Sequence, residues 1–175
     1  MSVRLARIGA GLLWLTVTAE RVSAQRIELT VGDTRMPQVA TTGRTAIPVS
    51  VDLSAAPRVN VAALQMRLTW NAEALRIDSV RVEAGSGFVL TQNVSAVRDG
   101  RLVFNVFRPM GLSASGPLVW LYAERMLGGA ATRTRESRAI ALRASVEALG
   151  DQDGRDLREW LRPVRVVVCD SEIAC

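Results

Sequence analysis

Residues 62–70 constrain the fold of this chain more than any other segment, because an apolar side chain stands at every second position. Successive side chains of a β-strand point to opposite faces of a sheet, whereas a helix repeats every 3.6 residues. The segment is therefore predicted to be a strand with two different faces. The apolar face comprises Ala62, Leu64, Met66, Leu68 and Trp70, and the face expected toward solvent comprises Ala63, Gln65, Arg67 and Thr69.

Short apolar segments recur along the chain, and turn signals rich in glycine separate them. Asp99-Gly100 before Arg101 has the form of a hairpin turn, and a slip in the apolar phase at Asp78-Ser79 indicates a bulge. The remaining candidate strands are residues 27–31, 46–53, 75–82, 88–94, 101–108, 118–125, 139–149 and 164–168. About nine short strands predict an all-β fold, an antiparallel sandwich or barrel.

Residues 139–149 are rich in alanine and leucine, so a helix is the alternative to a strand there. Ile140, Leu142 and Val146 alternate with Arg143 and Glu147, and this period favours the strand. Residues 157–161 are predicted to form a short turn of helix.

The first 24 residues are predicted to be a secretory signal peptide. A basic start precedes an apolar run of about a dozen residues, which ends in the small-x-small pattern Val22-Ser23-Ala24. The run is too short to span a bilayer stably. Gln25 would then begin a secreted domain of residues 25–168, either periplasmic or extracellular. In a tail of residues 169–175, Cys169 and Cys175 form a disulfide or stay as free thiols, and an oxidising compartment favours the bridge.

Composition excludes most catalytic chemistry, since the chain contains no histidine and all 22 basic residues are arginine. Histidine is the usual acid–base group at neutral pH, Schiff bases need lysine, and zinc sites depend on histidine and cysteine. A glycosidase with paired carboxylates stays possible in principle, but the acidic residues show no pairing. Residues 151–156 depart from the spacing of a calcium loop and predict an Asp-Gly turn. We therefore expect no enzyme activity, cofactor or metal.

The charge of the chain does not indicate a nucleic-acid partner. Removing the signal peptide takes away three arginines and one glutamate, which leaves 19 basic and 16 acidic residues, or a net charge of +3. The densest basic cluster, Arg133, Arg135 and Arg138 around Glu136, lacks interleaved aromatics and is predicted to be a solvated loop.

The segment from Val61 to Val80 resembles the signature of bacterial cohesin domains, the modules that receive dockerins in cellulosome-type assemblies. In that family an alternating strand ends in an aromatic residue and Asp or Asn, and a leucine then opens the next strand; Trp70, Asn71 and Leu75 occupy these places. Residues 43–51, 116–125 and 153–168 resemble further strands and turns of the family. The resemblance covers nearly the whole of residues 25–168.

The resemblance implies a nine-stranded jelly-roll sandwich without catalytic activity, which binds a dockerin-like protein through a flat sheet face. Cellulosomal cohesins carry outward asparagine and aspartate on the strand that matches residues 62–70, and here those places hold Ala63 and Gln65. The candidate partner-binding residues are Gln65, Arg67 and Thr69, with Asn105 and Phe107 from a strand expected beside them. The alternative is that these side chains form only a solvated face.

A carbohydrate-binding module of the same architecture is the alternative function, because exposed aromatic rings can stack on sugars. Trp70 shares the apolar face of its strand and is predicted to lie in the core. Trp120 and Tyr122 have apolar neighbours on both sides, which predicts a buried central strand. Trp160, beside charged residues, is the expected exposed ring and the candidate sugar contact.

Overall fold

The computed structural model describes residues 25–32, 43–126 and 140–168. The predicted signal peptide, the arginine cluster at 133–138 and both cysteines of the tail, Cys169 and Cys175, lie outside the described residues, so these expectations stay predictions.

Nine strands in the described residues form two packed sheets, and the predicted all-β sandwich is confirmed. One sheet has five strands in the order β4-β7-β2-β1-β9, and the other has four in the order β5-β6-β3-β8. The strands are β1 (Glu28–Gly32), β2 (Arg44–Asp52), β3 (Val61–Thr69), β4 (Leu75–Val82), β5 (Val89–Asn93), β6 (Arg101–Leu112), β7 (Gly116–Arg125), β8 (Arg143–Asp151) and β9 (Arg165–Val167).

Among these nine strands, all neighbouring pairs are antiparallel except one. β1 pairs in parallel with β9, through Thr30 with Arg165 and Gly32 with Val167. The antiparallel sandwich thus contains one parallel pair, at this edge of the five-stranded sheet. Gly32 makes the close approach possible, because a Cβ atom at this position would lie 1.9 Å from the carbonyl oxygen of Val167.

The core lies between the inner faces of the two sheets. Leu64, Met66 and Leu68 of β3 are buried, as are the alternate residues Leu102, Phe104 and Val106 of β6, which pairs with β3. Burying side chains of this size contributes roughly 1.5–3 kcal/mol each. Trp70 is also buried, as its phase predicted. Since a slip of one residue would exchange the two faces, the core also fixes which side chains point outward.

Three local features agree with the expectations from the sequence. The register of β4 against β7 shifts between Ile77 and Ser79, where the apolar phase slips. β8 is a strand rather than a helix, although it begins at Arg143 rather than near residue 139. A turn of 3₁₀-helix covers Arg158–Trp160, within the predicted helical turn.

The expected hairpin at Asp99-Gly100 takes a different form. The connection from β5 to β6 spans residues 94–100 and contains a turn of 3₁₀-helix at Val97–Asp99, so it is longer than a two-residue hairpin loop. Gly100 ends this turn with φ +73°, a conformation that other residues adopt at a cost. Its nitrogen donates to Val97 and its oxygen accepts from the nitrogen of Trp70.

The Arg158 side chain ties the 3₁₀ turn at Arg158–Trp160 to β8. Its guanidinium donates to the Asp156 carboxylate at 2.6 Å and to the backbone oxygen of Glu147 at 3.1 Å. Side-chain hydrogen bonds from Arg158, together with its backbone N–H, lower the pKa of Asp156 from 3.8 to about 2. The pair is exposed, so its contribution to stability is small.

Replacing Gly100 with alanine should destabilise the protein more than the same change at Gly85. Both have φ near +75°, but a Cβ atom at Gly100 would lie 2.2 Å from the carbonyl oxygen of Trp70, whereas Gly85 faces open space. We expect Gly85→Ala to lower the free energy of unfolding by about 1 kcal/mol and Gly100→Ala by ~3 kcal/mol or more. Urea denaturation measures both, and equal losses would contradict the described turn.

The Asp156–Arg158 pair should make stability depend on acid pH. Because the folded-state pKa is lowered, the pair stabilises the fold above the unfolded pKa of about 3.9, and this contribution is lost as pH falls toward about 2. The difference in unfolding free energy between the unmodified protein and Asp156→Asn should therefore shrink between pH 6 and pH 2.5. Asp153→Asn, an exposed acid of the same loop, is the control. A difference that stays constant with pH would contradict the pairing.

Candidate functional site

The outward side chains of β5, β6, β3 and β8 form a broad surface, here called the outer four-stranded face. The cross-strand register arranges it in four rows. The apolar row comprises Val89, Phe107, Ala63 and Gly150. The amide row comprises Thr91, Asn105, Gln65 and Ala148. The third row comprises Asn93, Val103, Arg67 and Ser145, and the basic row comprises Arg101, Thr69 and Arg143.

The five residues predicted as partner contacts lie together on this face. Gln65 pairs directly with Asn105, so β6 is the neighbour of β3 that the sequence suggested. Arg67 and Thr69 follow Gln65 along β3, and Phe107 lies one row from Asn105, toward the apolar end. Their adjacency is a property of the structure, while their role in binding stays a prediction.

Glu147 is the centre of a hydrogen-bonded cluster on the outer four-stranded face. Its carboxylate accepts from the Gln65 side-chain nitrogen at 2.6 Å and from the Arg67 Nε at 2.6 Å. The register of β8 shifts here, because Gln65 pairs with Ala148 while the next residue, Met66, pairs with Val146. Glu147 is thus the extra residue of a bulge, and bulges redirect side chains in this way. The Arg158 guanidinium also stabilises the bulge, because it donates a hydrogen bond to the backbone oxygen of Glu147.

Glu147 leaves part of each partner available for contacts. Since Gln65 donates its amide nitrogen to Glu147, its amide oxygen is directed elsewhere and can accept a hydrogen bond. Neither the amide of the adjacent Asn105 nor the Arg143 guanidinium has a hydrogen bond or ion pair in the part of the chain that the structure describes. The face therefore combines Gln65 and Arg67, which Glu147 holds in place, with two polar side chains that have unused hydrogen-bonding capacity.

The apolar row exposes two large hydrophobic side chains. Val89 is 59% exposed and Phe107 is 49% exposed, and the two are direct cross-strand neighbours. Ala63 and Gly150 continue the row with little or no side chain, so they leave room beside the Phe107 ring. Met110 lies in the bulged segment at the same end of the sheet and is also exposed. Exposed apolar clusters of this kind often mark interaction surfaces.

The outer face of the five-stranded sheet is different, because ion pairs join four of its charged groups. Asp78 accepts from Arg44 at 3.0 Å and from Arg76 at 2.8 Å, and Arg76 also pairs with Glu124. The chain of ion pairs joins β2, β4 and β7.

Trp120 and Tyr122 lie on this same outer face and are only half-buried, so the prediction of a strand buried on both faces was wrong. β7 is an interior strand of its sheet, but alternate residues still point away from the core. The ring nitrogen of Trp120 donates to Glu83 at 2.5 Å, and the Arg81 guanidinium lies 5.4 Å from the centre of the Tyr122 ring. Both rings already have polar or cationic neighbours.

Trp160 is half-buried and packs against the core, so the expected exposed ring was also wrong. The backbone explains the difference: the Trp160 oxygen accepts from the nitrogen of Ile27, and Leu161 forms a parallel bridge with the same residue. The ring lines an open cavity of about 480 Å³ whose other walls are Gln25, Arg26, Glu159, Leu161, Arg162 and Pro163.

The described residues contain no group of three or more acidic, cysteine or histidine residues placed to hold a metal ion. None of the helical segments described is long and apolar enough to cross a membrane. The outer four-stranded face can supply apolar contact, neutral hydrogen-bonding groups and positive charge.

Sequence reasoning missed part of this face. The candidate partner-binding residues did not include four residues of this face: Val89 and Thr91 of β5, and Arg143 and Glu147 of β8. The alternation of residues 139–149 already separated Glu147 from the apolar side chains, which is a usable signal. The sequence gives no sign, however, that β8 lies beside β3, because their paired residues are about 80 positions apart.

Solved cohesin structures are similar to this chain. The non-cellulosomal cohesin of the archaeon Archaeoglobus fulgidus matches with a TM-score of 0.57 and 12% identity, over 83% of this chain and 91% of that one. A type I cohesin–dockerin complex of Clostridium thermocellum gives 0.58 and 13%, over 83% and 99%. The seventh ScaB type I cohesin of Pseudobacteroides cellulosolvens gives 0.55 and 13%, over 86% and 95%.

No protein-family model matches the chain, and no curated protein matches it. The similarity is therefore one of architecture, at identities of 12–13% in these three structures. It extends over more than four-fifths of the chain in each of the three. The chain has the cohesin fold, a jelly-roll β-sandwich with nine strands in the described residues.

Proposed function

We propose that this protein is a secreted, non-catalytic binding module that docks a protein partner on its outer four-stranded face. The observation that carries the proposal is the contrast between the two sheets. Ion pairs join Arg44, Asp78, Arg76 and Glu124 on the five-stranded sheet, whereas the four-stranded sheet exposes Phe107 and Val89 at one end and, within the described part of the chain, leaves Asn105 and Arg143 without a hydrogen bond or ion pair. A surface with apolar contact area and unused polar groups suits a protein interface.

A dockerin-like protein is the partner class we propose. Similar structures include cohesins in complex with dockerins, among them the complex from Clostridium thermocellum. The contacts of this chain would differ from those of cellulosomal cohesins, because Ala63 and Gln65 replace the expected asparagine and acid. The setting we propose is polysaccharide degradation or a cell surface.

The predicted signal peptide supports the secreted location, since export brings such a module to extracellular or periplasmic partners. The shortage of catalytic residue types supports a binding role. The chain has no histidine or lysine, and a sheet face that binds a protein needs neither, because arginine supplies charge and planar hydrogen bonding.

Replacing Phe107 with glutamate should weaken the binding of the partner. The purified protein, immobilised and exposed to the secreted proteins of its own organism, should enrich a specific protein identified by mass spectrometry. Phe107→Glu places a charge in the middle of the apolar row, and we expect its affinity for that protein to fall at least about tenfold. Titration calorimetry with the purified partner measures the change.

Met126→Glu is the matched control, because Met126 is an exposed apolar residue (39%) that follows β7 in the other sheet. It should bind as the unmodified protein does, and both variants should keep the same circular dichroism spectrum. Equal binding by Phe107→Glu, or an equal loss in both variants, would contradict docking on the outer four-stranded face.

The carbohydrate alternative has one observation in its favour, the cavity of about 480 Å³ beside Trp160, which is large enough for a small ligand. Affinity electrophoresis on cellulose, xylan and chitin tests it. Under our proposal the protein migrates without retardation on all three. Because Trp160 packs against the core, Arg26→Ala accompanies Trp160→Ala as a variant that alters only the wall of the cavity. Retardation lost in both variants would favour sugar binding.

A further inference from the structure

Asn93, Val94 and Ser95 form a sequence motif to which the proposed docking function gives no role. An asparagine followed by any residue except proline, and then by serine or threonine, is the acceptor sequence for N-linked glycans in secreted proteins. The chain has four asparagines, at positions 60, 71, 93 and 105, and only Asn93 stands in this sequence. All three residues of the motif are exposed, at the end of β5 and the start of the connection to β6.

The side-chain amide of Asn93 is held through its oxygen alone. Oδ1 accepts a hydrogen bond from the backbone nitrogen of Ser95 at 3.1 Å and another from the Ser95 hydroxyl at 2.7 Å. The amide nitrogen, Nδ2, donates no hydrogen bond within the described part of the chain. Because the residue is exposed, the nitrogen that receives the sugar in an N-linked glycan is accessible in the folded protein.

β5 is also the edge strand with the least protection against pairing with another chain. The edge strands of the described sheets are β4, β9, β5 and β8. Charged side chains and bulges discourage such pairing, and β4 and β8 have both. β9 has only three residues. The five residues of β5 include no charge and no proline, and they pair with β6 without a shift in register. A bulky hydrophilic group on Asn93 would protect this edge.

We infer that Asn93 is the attachment site of an N-linked glycan that is added during export. The inference rests on the proposed secretion. The donor is an oligosaccharide joined to a lipid through a diphosphate. A bond forms between Nδ2 of Asn93 and the anomeric carbon of the first sugar, and the bond from that carbon to the diphosphate breaks. The lipid diphosphate leaves with the electron pair, and Nδ2 loses one proton to a base of the transferring enzyme.

A glycan at this position would leave room for a partner on the outer four-stranded face. β5 is the outermost strand of its sheet, and Asn93 pairs with Val103 in the third row. Four residues separate Asn93 from Val89 in the apolar row, a distance of about 13 Å along the strand. The cluster around Glu147 lies three strands away, on β8. The attachment point is therefore at the border of the face, and a glycan and a docked partner can be present together.

Mass spectrometry of the protein purified from its own organism tests the inference. Trypsin cleaves after arginine, so one peptide, residues 82–98, contains the whole motif. This peptide should carry the added mass of several sugars, and fragmentation should locate that mass on Asn93. Asn93→Gln and Ser95→Ala should remove the added mass completely. Ser95→Thr should retain it, because threonine also satisfies the acceptor sequence.

Ser86→Ala is the control, because Ser86 lies in the same peptide but outside the acceptor sequence. This variant should keep the added mass. All variants should give the circular dichroism spectrum of the unmodified chain, since the changed residues lie outside the core. An added mass that persists in Asn93→Gln would lie on another residue and would overturn the inference.

The location of the protein separates this inference from the proposed function. Protein recovered outside the cytoplasm with an unmodified peptide 82–98 would overturn the glycan and leave the proposed secretion and docking intact. Protein retained in the cytoplasm without the added mass would contradict both the glycan and the secretion. The inference predicts exported protein in which the peptide carries the glycan and loses it in Asn93→Gln and Ser95→Ala alone among these variants.

Discussion

The structure depends on the burial of the inner sheet faces against each other. Met66 and Leu68 of β3 and Phe104 of β6 are fully buried between the sheets, and apolar burial of this kind is the main driving force of folding. Because side chains alternate along a strand, each buried residue also determines that its neighbours point outward. The positions of Gln65, Arg67 and Asn105 are therefore consequences of the core rather than independent features.

The alternation made much of this predictable. Residues 62–70 gave both the core face and the outward residues of β3, and the phase slip near Asp78 located a bulge. The sequence did not show which strand lies on the other side of β3 from β6. The Glu147 cluster depends on β8 lying beside β3 and on a bulge in β8, and neither is encoded in any local pattern. The prediction that Trp120 is buried was wrong for a related reason. Apolar neighbours in the sequence do not show whether another layer packs against the outer face of a sheet.

The outer faces of the two sheets differ in how their charged side chains are paired. Arg44, Asp78, Arg76 and Glu124 bind one another across three strands, so a partner would gain little by displacing them. On the other sheet, Glu147 fixes Gln65 and Arg67 in place and thereby reduces the entropy that binding would cost. The docking role proposed above would use this pre-organised face.

The central claim is that a protein partner docks on the outer four-stranded face, and amide chemical-shift mapping by NMR tests it most directly. The isotope-labelled protein is titrated with the partner that it captures, and the shift of each assigned amide is followed. The account predicts that the largest shifts lie in β5, β6, β3 and β8, with Phe107 and Gln65 among them. Large shifts confined to β4, β7 and β2, with the four-stranded sheet unchanged, would contradict it.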